Sequence, residues 1–224
     1  MQALSPELLA RCAGIASSTW SDALDTLDIP GVVQGIALRA GQGRIAGEAV
    51  TARHVCGQLG DFDRADFAVG RLVAATGPGK VLVVDVGGEP VSTFGGIAST
   101  AAALRGATAV IIDGACRDVD EIRETGLWLA SRHVTPLTGK KRLRLQEMGG
   151  TVTLGGITVR QGDLIVGDDT GIVVVPRARI EETLAAAEAA LAVDERVEKA
   201  VRAGTPFAEA ASAAGYIPAG PGKG

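Results

Sequence analysis

Between residues 80 and 132 the chain alternates short apolar runs with helix-forming runs, and this alternation restricts the fold more than any other feature of the sequence. Segments 80–86, 109–113 and 128–132 are apolar and rich in Val, Ile and Leu, which is typical of buried strands. Segments 97–105 and 119–125 lie between them and favour helix. The order strand, helix, strand, helix, strand predicts a layered α/β protein.

The segments on either side of this region extend the pattern. Dense turn signals between short strands after residue 150 predict a second, more antiparallel sheet. We expect a single domain over residues 1–214 and a mobile tail over 215–224, where Gly and Pro are concentrated. The remaining predicted elements are helices at 5–12, 17–27, 63–75 and 176–203, strands at 32–38, 47–55, 163–166 and 171–175, and a hairpin at 151–160.

Composition excludes several classes of function. The 224-residue chain has a net charge of -4, so it lacks the excess of Lys and Arg that a nucleic-acid surface requires. No apolar run approaches the roughly 18 residues of a membrane span, and the first residues do not resemble a signal peptide. Its three cysteines form no CxxC pair and no even set, which fits a reducing compartment. We therefore expect a cytoplasmic protein that binds neither nucleic acid nor membrane.

The most chemically specific feature is Arg117 beside Asp118, directly after the apolar run that ends at residue 116. A guanidinium can bind an anion and a carboxylate can bind a hard cation, so the pair suits a small carboxylate substrate chelated to a divalent metal. The simpler alternative is a helix cap next to a solvated charge. Gly95 and Gly96 weigh against that alternative, because a glycine pair that opens a helix leaves backbone N–H groups free to bind an anion.

Six segments of the chain carry a resemblance to a known family: 83–88, 95–102, 106–118, 131–136, 162–171 and 173–176. Together they resemble the family that unites 4-hydroxy-4-methyl-2-oxoglutarate aldolases with the regulator of ribonuclease E activity A. The resemblance covers roughly residues 15–200. It implies a compact layered α/β/β/α sandwich of the swivelling β/β/α type, assembled as a homotrimer or homohexamer with active sites between subunits.

The same resemblance assigns roles to residues around the Arg-Asp pair. Asp118 is expected to anchor a Mg²⁺ or Mn²⁺ ion, and Arg117 to contact the substrate and the developing enolate. The backbone N–H groups of the helix start are expected to bind the substrate carboxylate. Several aldolases of this family carry an acidic residue where this chain has Gly96, so the acid that reprotonates the enolate is left open. The helix start consists of Gly95, Gly96, Ile97 and Ala98.

Further catalytic residues follow from the resemblance by spacing alone. Lys141 corresponds to a lysine some twenty residues after the metal aspartate, and Asp22 to an acidic residue near the N-terminus. A late helical glutamate from the adjacent subunit corresponds to Glu195 or Glu198.

The resemblance implies a metal-dependent lyase that releases pyruvate from 4-hydroxy-4-methyl-2-oxoglutarate or a related 4-hydroxy-2-oxo acid and that also decarboxylates oxaloacetate. Both reactions pass through the same pyruvate enolate, which a divalent cation and a guanidinium stabilise. Two alternatives stay open: a non-catalytic regulator that binds a ribonuclease, and a related lyase for a different 2-oxo acid. Asp118 separates the first from the enzymes, because a pure regulator has no need of that carboxylate.

Overall fold

The structure, a computed structural model, describes residues 3–216. Seven α-helices occur in this part of the chain: Pro6–Ala13 (α1), Ser17–Thr26 (α2), Val69–Ala74 (α3), Gly96–Leu104 (α4), Val119–Glu124 (α5), Ile180–Arg202 (α6) and Phe207–Ala214 (α7). Short 3-10 turns precede α3 and α6. The strands are Ala37–Ala40 (β1), Ile45–Cys56 (β2), Lys80–Asp85 (β3), Ser92–Phe94 (β4), Ala109–Cys116 (β5), Leu129–Val134 (β6), Leu143–Met148 (β7), Val152–Leu154 (β8), Ile157–Val159 (β9), Leu164–Gly167 (β10) and Ile172–Val175 (β11).

A nine-stranded mixed sheet organises the molecule, in the order β1-β6-β5-β3-β2-β10-β11, with β4 paired to β5 and β7 paired to β2. Strands β2, β3, β5 and β6 run parallel, as the alternating pattern predicts. All eight residues of β5 are buried, so its side chains contribute apolar burial on both faces of the sheet. The layered α/β prediction is confirmed.

The prediction of a second antiparallel sheet after residue 150 is wrong in part. Strands β10 and β11 pair antiparallel with each other, and β10 pairs antiparallel with β2, so both belong to the main sheet. Only β8 and β9 form a separate two-stranded hairpin. The 12-residue β2 makes this possible, because it is long enough to pair with β10 near its start and with β7 near its end.

Three groups of buried side chains connect the layers. One lies between the sheet and α3, α4 and α5, and includes Leu82, Phe94 and Ile112. A second lies between the opposite face of the sheet and the β8–β9 hairpin. The third packs α1, α2 and α6 against β10 and β11, with Trp20 fully buried at its centre. The helices therefore form two separate groups, one beside β5 and one at the β10–β11 edge.

Two predicted elements are shorter than expected because the backbone turns inside them. Gly35 adopts a φ of 72° within the expected strand 32–38, and only Ala37–Ala40 pairs with β6. Ala68 adopts a φ of 48° within the expected helix 63–75 and separates a 3-10 turn from α3. In both places a residue with left-handed backbone angles interrupts the regular backbone hydrogen bonding of the strand or helix.

Residues 3–216 contain no helix with the length and apolar character that crossing a bilayer requires. Cys12, Cys56 and Cys116 are free thiols. Most of the segment expected to be a mobile tail, residues 217–224, lies outside the described residues.

Candidate active site

The strand β5 ends at the Arg-Asp pair, next to the start of α4. The backbone N–H of Arg117 donates a hydrogen bond of 3.0 Å to the carbonyl of Phe94, which ties the ends of β4 and β5 together. The side-chain Nε of Arg117 lies 3.4 Å from Oδ2 of Asp118. Each of the two side chains is about one third exposed, at 37% and 35%. The pair is held by the sheet and is open to a ligand.

Asp118 occupies the N-cap position of α5 but does not cap it with its side chain. Its backbone is left-handed, with φ 54° and ψ 45°, a conformation that costs a non-glycine residue about 1–2 kcal/mol and that Asp tolerates better than most. Its Oδ2 instead accepts a hydrogen bond of 3.2 Å from the backbone N–H of Gly96, at the start of α4. The carboxylate therefore caps the start of α4 from outside and does not cap its own helix, α5.

The glycine pair at the start of α4 lies against two carboxylates. A Cβ atom on Gly95 would stand 2.5 Å from Oδ2 of Asp118. A Cβ atom on Gly96 would overlap the carboxylate of Glu121, from the first turn of α5. Any side chain at either position would displace one of the two acids, so the glycines provide the space that Asp118 and Glu121 occupy.

The two carboxylates are of the type that binds a magnesium-type ion. Mg²⁺ is held in proteins by one or two carboxylates, with water and substrate oxygens completing the octahedron. Asp118 lies beside Gly95, and Glu121 lies beside Gly96, where it also lines a second cavity with Thr100. Among residues 3–216 no cluster of three or more Asp, Glu, His or Cys side chains is placed to bind a metal. A site of two carboxylates therefore requires ligands from water, substrate or another subunit.

A cavity of about 350 Å³ opens beside this constellation, between α3 and α4. Its lining includes Gly95, Ile97, Ala98 and Arg117, four of the positions expected to contact substrate. This volume falls in the usual range of small-molecule pockets, about 300–1,000 Å³. The structure thus brings the predicted helix start and the predicted arginine to one cavity.

The predicted lysine lies on the loop between β6 and β7. Lys141 is exposed and has a φ of 64°. Its neighbour Lys140, also exposed, is the lysine that lines the cavity. Either ammonium group can reach an anion at the cavity mouth only from the solvent side, because the loop lies at the surface.

The predicted N-terminal acid and the late glutamates lie with the other group of helices. Asp22 is on α2 and Glu195 and Glu198 are on α6, and both helices pack around β10 and β11. Within one chain the structure does not place them with Arg117 and Asp118. The pKa of Asp22 is raised, first by partial burial and then by the negative charges of Asp194 and Asp25. A raised pKa makes this carboxylate a better base than a free aspartate.

Glu121 is a carboxylate near the candidate site that the sequence analysis did not single out. Its signal is the spacing Arg117-Asp118-x-x-Glu121, which puts two carboxylates three residues apart at the start of one helix. The same spacing is common in helix caps, so the sequence does not distinguish it from an ordinary acidic first turn. Only the contact with Gly96 on another helix reveals the difference.

Comparison with known proteins identifies the family of this chain. The sequence profile of the family described as "RraA-like: Aldolase/RraA" matches residues 17–174, a span that contains the glycine pair and both carboxylates. The chain belongs to the RraA-like family. The predicted family membership is therefore confirmed.

Three relatives show the breadth of this RraA-like family. Protein DlpA of Legionella pneumophila is 27% identical over 92% of this chain and 33% of its own length. Two relatives are named "Putative 4-hydroxy-4-methyl-2-oxoglutarate aldolase". That of Halalkalibacterium halodurans is 30% identical over 61% of this chain and 65% of its own length. That of Pseudomonas aeruginosa is 38% identical over 46% and 63%. The chain thus spans from a third to just under two thirds of these curated relatives.

Solved structures confirm the RraA-like fold. An uncharacterized protein from Pseudomonas syringae pv. tomato superposes with a TM-score of 0.82 at 27% identity, covering 94% of this chain and 99% of that one. RraAS2 of Streptomyces coelicolor, described as an unusual member of the RNase ES inhibitor RraA protein family, superposes with a TM-score of 0.72 at 25% identity over 84% and 93% of the two chains. The family thus includes members named as aldolases and members named as inhibitors.

Proposed function

We propose that the protein is a divalent-metal-dependent carbon–carbon lyase that releases pyruvate from a 4-hydroxy-2-oxo acid and decarboxylates oxaloacetate. The observation that carries the proposal is that Arg117 and Asp118 lie together against the glycine pair that opens α4, while Gly95 and Arg117 line the cavity beside it. Both reactions release pyruvate as its enolate, so one site serves both.

The start of α4 binds the carboxylate of the pyruvyl unit. The first backbone N–H groups of a helix lack partners inside the helix, and the helix dipole favours an anion there. The N–H of Gly96 already donates to Asp118, so the N–H groups of Ile97 and Ala98, which line the cavity, are the ones we assign to the substrate. Gly95 lets Arg117 and Asp118 pack directly against the helix start. Arg117 adds a fixed positive charge beside the 2-oxo group, where the enolate oxygen develops.

Asp118 and Glu121 hold the divalent cation. The Mg²⁺ or Mn²⁺ ion, when bound, supplies Lewis acidity that lowers the energy of the enolate. The left-handed backbone of Asp118 turns its carboxylate away from α5 and toward α4. The carboxylate therefore does not cap α5 and lies beside the proposed substrate position.

Cleavage of a 4-hydroxy-2-oxo acid requires a base. The base removes the proton of the C4 hydroxyl, the C3–C4 bond breaks, C4 becomes the carbonyl carbon of the departing aldehyde or ketone, and the electron pair forms the enolate of pyruvate. Protonation at C3 completes the reaction. In oxaloacetate C4 leaves as CO₂, so the same enolate forms without deprotonation of a hydroxyl.

We assign the base to a neighbouring subunit in a trimer or hexamer. Asp22, with its raised pKa, is the candidate base, and Glu195 or Glu198 the candidate partner acid from the same helix group. Lys140 lines the cavity, and we assign to it and to the adjacent Lys141 the addition of positive charge for an anionic substrate. Because α2 and α6 lie at the β10–β11 edge, these carboxylates reach a site only across an interface.

The test is release of pyruvate from oxaloacetate and from 4-hydroxy-4-methyl-2-oxoglutarate, with Mg²⁺, with Mn²⁺ and with EDTA. We expect metal-dependent release that Asp118→Ala abolishes. Asp120→Ala is the matched control, since Asp120 is an exposed carboxylate on the same helix. Release that persists in EDTA, or that survives Asp118→Ala, would refute the assignment.

The alternative function is regulation of a ribonuclease by binding. It is favoured by the likeness to RraAS2, whose description names it in an RNase ES inhibitor family. A regulator would bind the ribonuclease and lower RNA cleavage equally well as wild type and as Asp118→Ala. If the wild type releases pyruvate and does not inhibit the ribonuclease, the result supports the lyase function over the regulatory one.

A further inference from the structure

The cavity beside Arg117 extends away from the charged glycine pair into an apolar region between α3 and α4. Its walls there come from Phe67, Val69, Val73, Phe94 and Ala101. Phe67 and Phe94 are almost fully buried, at 8% and 1% exposure, so they form a fixed part of the wall. The site thus has a charged mouth and an apolar interior.

Five polar side chains also line this cavity: Ser92, Thr93, Arg117, Thr138 and Lys140. Thr93 is 1% exposed, and its hydroxyl has no hydrogen-bond partner among the described residues. A buried hydroxyl without a partner is unfavourable unless a ligand atom supplies one. Lys140 is exposed, so water solvates its ammonium group at the rim. Ser92 is also buried, but its hydroxyl already donates to the carbonyl of Phe94 at 3.0 Å. Among the lining residues, neither cation, Arg117 or Lys140, is fully buried.

This distribution discriminates between substrates. A second carboxylate placed among Phe67, Val69 and Val73 would lose its hydration without gaining a counter-ion, which is strongly unfavourable. An alkyl or aryl group in the same place would be removed from water at no polar cost. The pyruvyl carboxylate has its own position at the start of α4, and it does not compete for the apolar part.

We propose that the cavity binds the part of the substrate beyond the pyruvyl unit and selects 4-hydroxy-2-oxo acids whose C4 carries an alkyl or aryl group in place of a second carboxylate. This inference rests on the proposed lyase function and narrows its substrate class. The bonds that change are those already given: the C3–C4 bond breaks, the hydroxyl proton goes to the base, and the product is pyruvate with an apolar aldehyde or ketone.

Binding of unreactive analogues tests the inference separately from turnover. The protein with Mg²⁺ is titrated by calorimetry with 2-oxo-4-phenylbutanoate, 2-oxohexanoate and 2-oxoglutarate, which lack the C4 hydroxyl and cannot undergo retro-aldol cleavage. We expect both apolar analogues to bind at least about tenfold more tightly than 2-oxoglutarate, the scale on which apolar pockets discriminate. Equal binding, or tighter binding of 2-oxoglutarate, overturns the proposal.

A variant that fills the cavity identifies the wall. Ala101→Leu adds a larger side chain from α4 into the lining and keeps a good helix former. It should weaken the binding of 2-oxo-4-phenylbutanoate about tenfold or more. Ala74→Leu is the matched control on α3, at an exposed position, and should leave this affinity unchanged. An unchanged affinity in Ala101→Leu overturns the proposal.

Turnover then separates the two conclusions. If the wild type decarboxylates oxaloacetate but binds 2-oxoglutarate more tightly than the apolar analogues, the lyase function stands and the apolar substrate class is refuted. The opposite outcome is a wild type that releases no pyruvate but binds 2-oxo-4-phenylbutanoate selectively, with this binding lost in Ala101→Leu. In that case the apolar binding cavity stands and the lyase function is refuted. Cleavage of 4-hydroxy-2-oxo-4-phenylbutanoate faster than 4-hydroxy-2-oxoglutarate supports both.

Discussion

Two aspartates of this protein each face the start of a helix, and they differ in how many hydrogen bonds they accept. Asp168, after β10, accepts from the backbone N–H and the hydroxyl of Ser17 at 2.8 and 2.6 Å, and from the N–H groups of Thr170 and Gly171 at 2.9 and 3.3 Å. Asp118 accepts one backbone hydrogen bond of 3.2 Å within the described part of the chain.

The difference separates a structural carboxylate from one that can bind a ligand. Four hydrogen bonds use the oxygens of Asp168 fully and fix α2 to the β10–β11 turn. Asp118 keeps lone pairs for a cation and has a backbone conformation that a structural role does not require. Position at a helix start is therefore not informative by itself, whereas incomplete hydrogen bonding is.

The largest expected effect concerns Asp118→Gly. Glycine adopts φ 54° without a steric penalty, so relief of backbone strain offsets the entropy that glycine adds to the unfolded chain. We expect kcat/KM for oxaloacetate to fall at least about 100-fold, because the cation loses a ligand. The free energy of unfolding in urea should change by less than about 1 kcal/mol. A large loss of stability would make Asp118 structural, like Asp168.

A second effect concerns the exchange of acids at the glycine pair. Gly96→Asp should lower kcat/KM about tenfold or more, because the new side chain collides with Glu121. Glu121→Ala should lower it similarly by removing a carboxylate. The double variant restores one acid to the same space and should recover most of the activity of wild type. Strictly additive losses in the double variant would show that the two positions act independently.

Asp168→Ala should mainly affect stability. Loss of four hydrogen bonds at a partly buried carboxylate, with Ser17 left without its acceptor, should lower the free energy of unfolding by about 1–3 kcal/mol. The rate of pyruvate release per folded molecule should equal that of the wild type. Asp169→Ala is the control, since Asp169 is its exposed neighbour. Urea unfolding and a pyruvate assay, both carried out on Asp168→Ala and on Asp118→Gly, compare the two variants in stability and in activity.

The pH dependence of stability should follow Asp168. Burial opposes its ionisation, but the hydrogen bonds from Ser17, Thr170 and Gly171 outweigh burial and lower its pKa. A carboxylate with a lowered pKa stabilises the folded state above its unfolded pKa of about 3.9, and this contribution is lost as the pH falls from about 5 through the lowered pKa. Wild type should lose more stability than Asp168→Ala between pH 5 and pH 3, measured by thermal unfolding. Parallel curves for the two proteins would contradict this assignment.

The smallest expected effect concerns Thr93→Val. The buried hydroxyl of Thr93 has no partner in the described structure, so replacing it with a methyl group of similar size should raise the free energy of unfolding by up to about 1 kcal/mol. Thr158→Val, at an exposed strand position, is the control for strand propensity. A clear loss of stability in Thr93→Val would show that the hydroxyl already has a partner.

The sequence predicts the parallel part of the fold well because its signals are local. Strands β3, β5 and β6 and the helices between them follow from apolar runs and turn residues that are adjacent in the chain. The placement of β10 beside β2 joins segments more than a hundred residues apart, and no local pattern specifies that pairing. The turn residues after residue 150 indicated strands correctly but not the sheet to which they belong.

The candidate site divides in the same way. Arg117, Asp118 and the glycine pair are recognisable from order and spacing, and the structure places them together. Glu121 is close to Gly96 only because α5 packs beside α4, which depends on the tertiary structure. The roles of Asp22, Lys141 and Glu195 stay predictions, since they depend on a second copy of the chain.

The long strand β2 is paired with strands that belong to both helix groups. It pairs with β3 on the side of the candidate site and with β10 on the side of α2 and α6, and it contributes Ala49 and Ala52 to the buried interior. Residues 45–48 pair with β10 and residues 48–53 pair with β3, so one continuous strand carries amides protected by each region. Equal protection along residues 45–53, at the level of the global unfolding equilibrium, is expected if the two regions that hold the candidate acids open together as one cooperative unit.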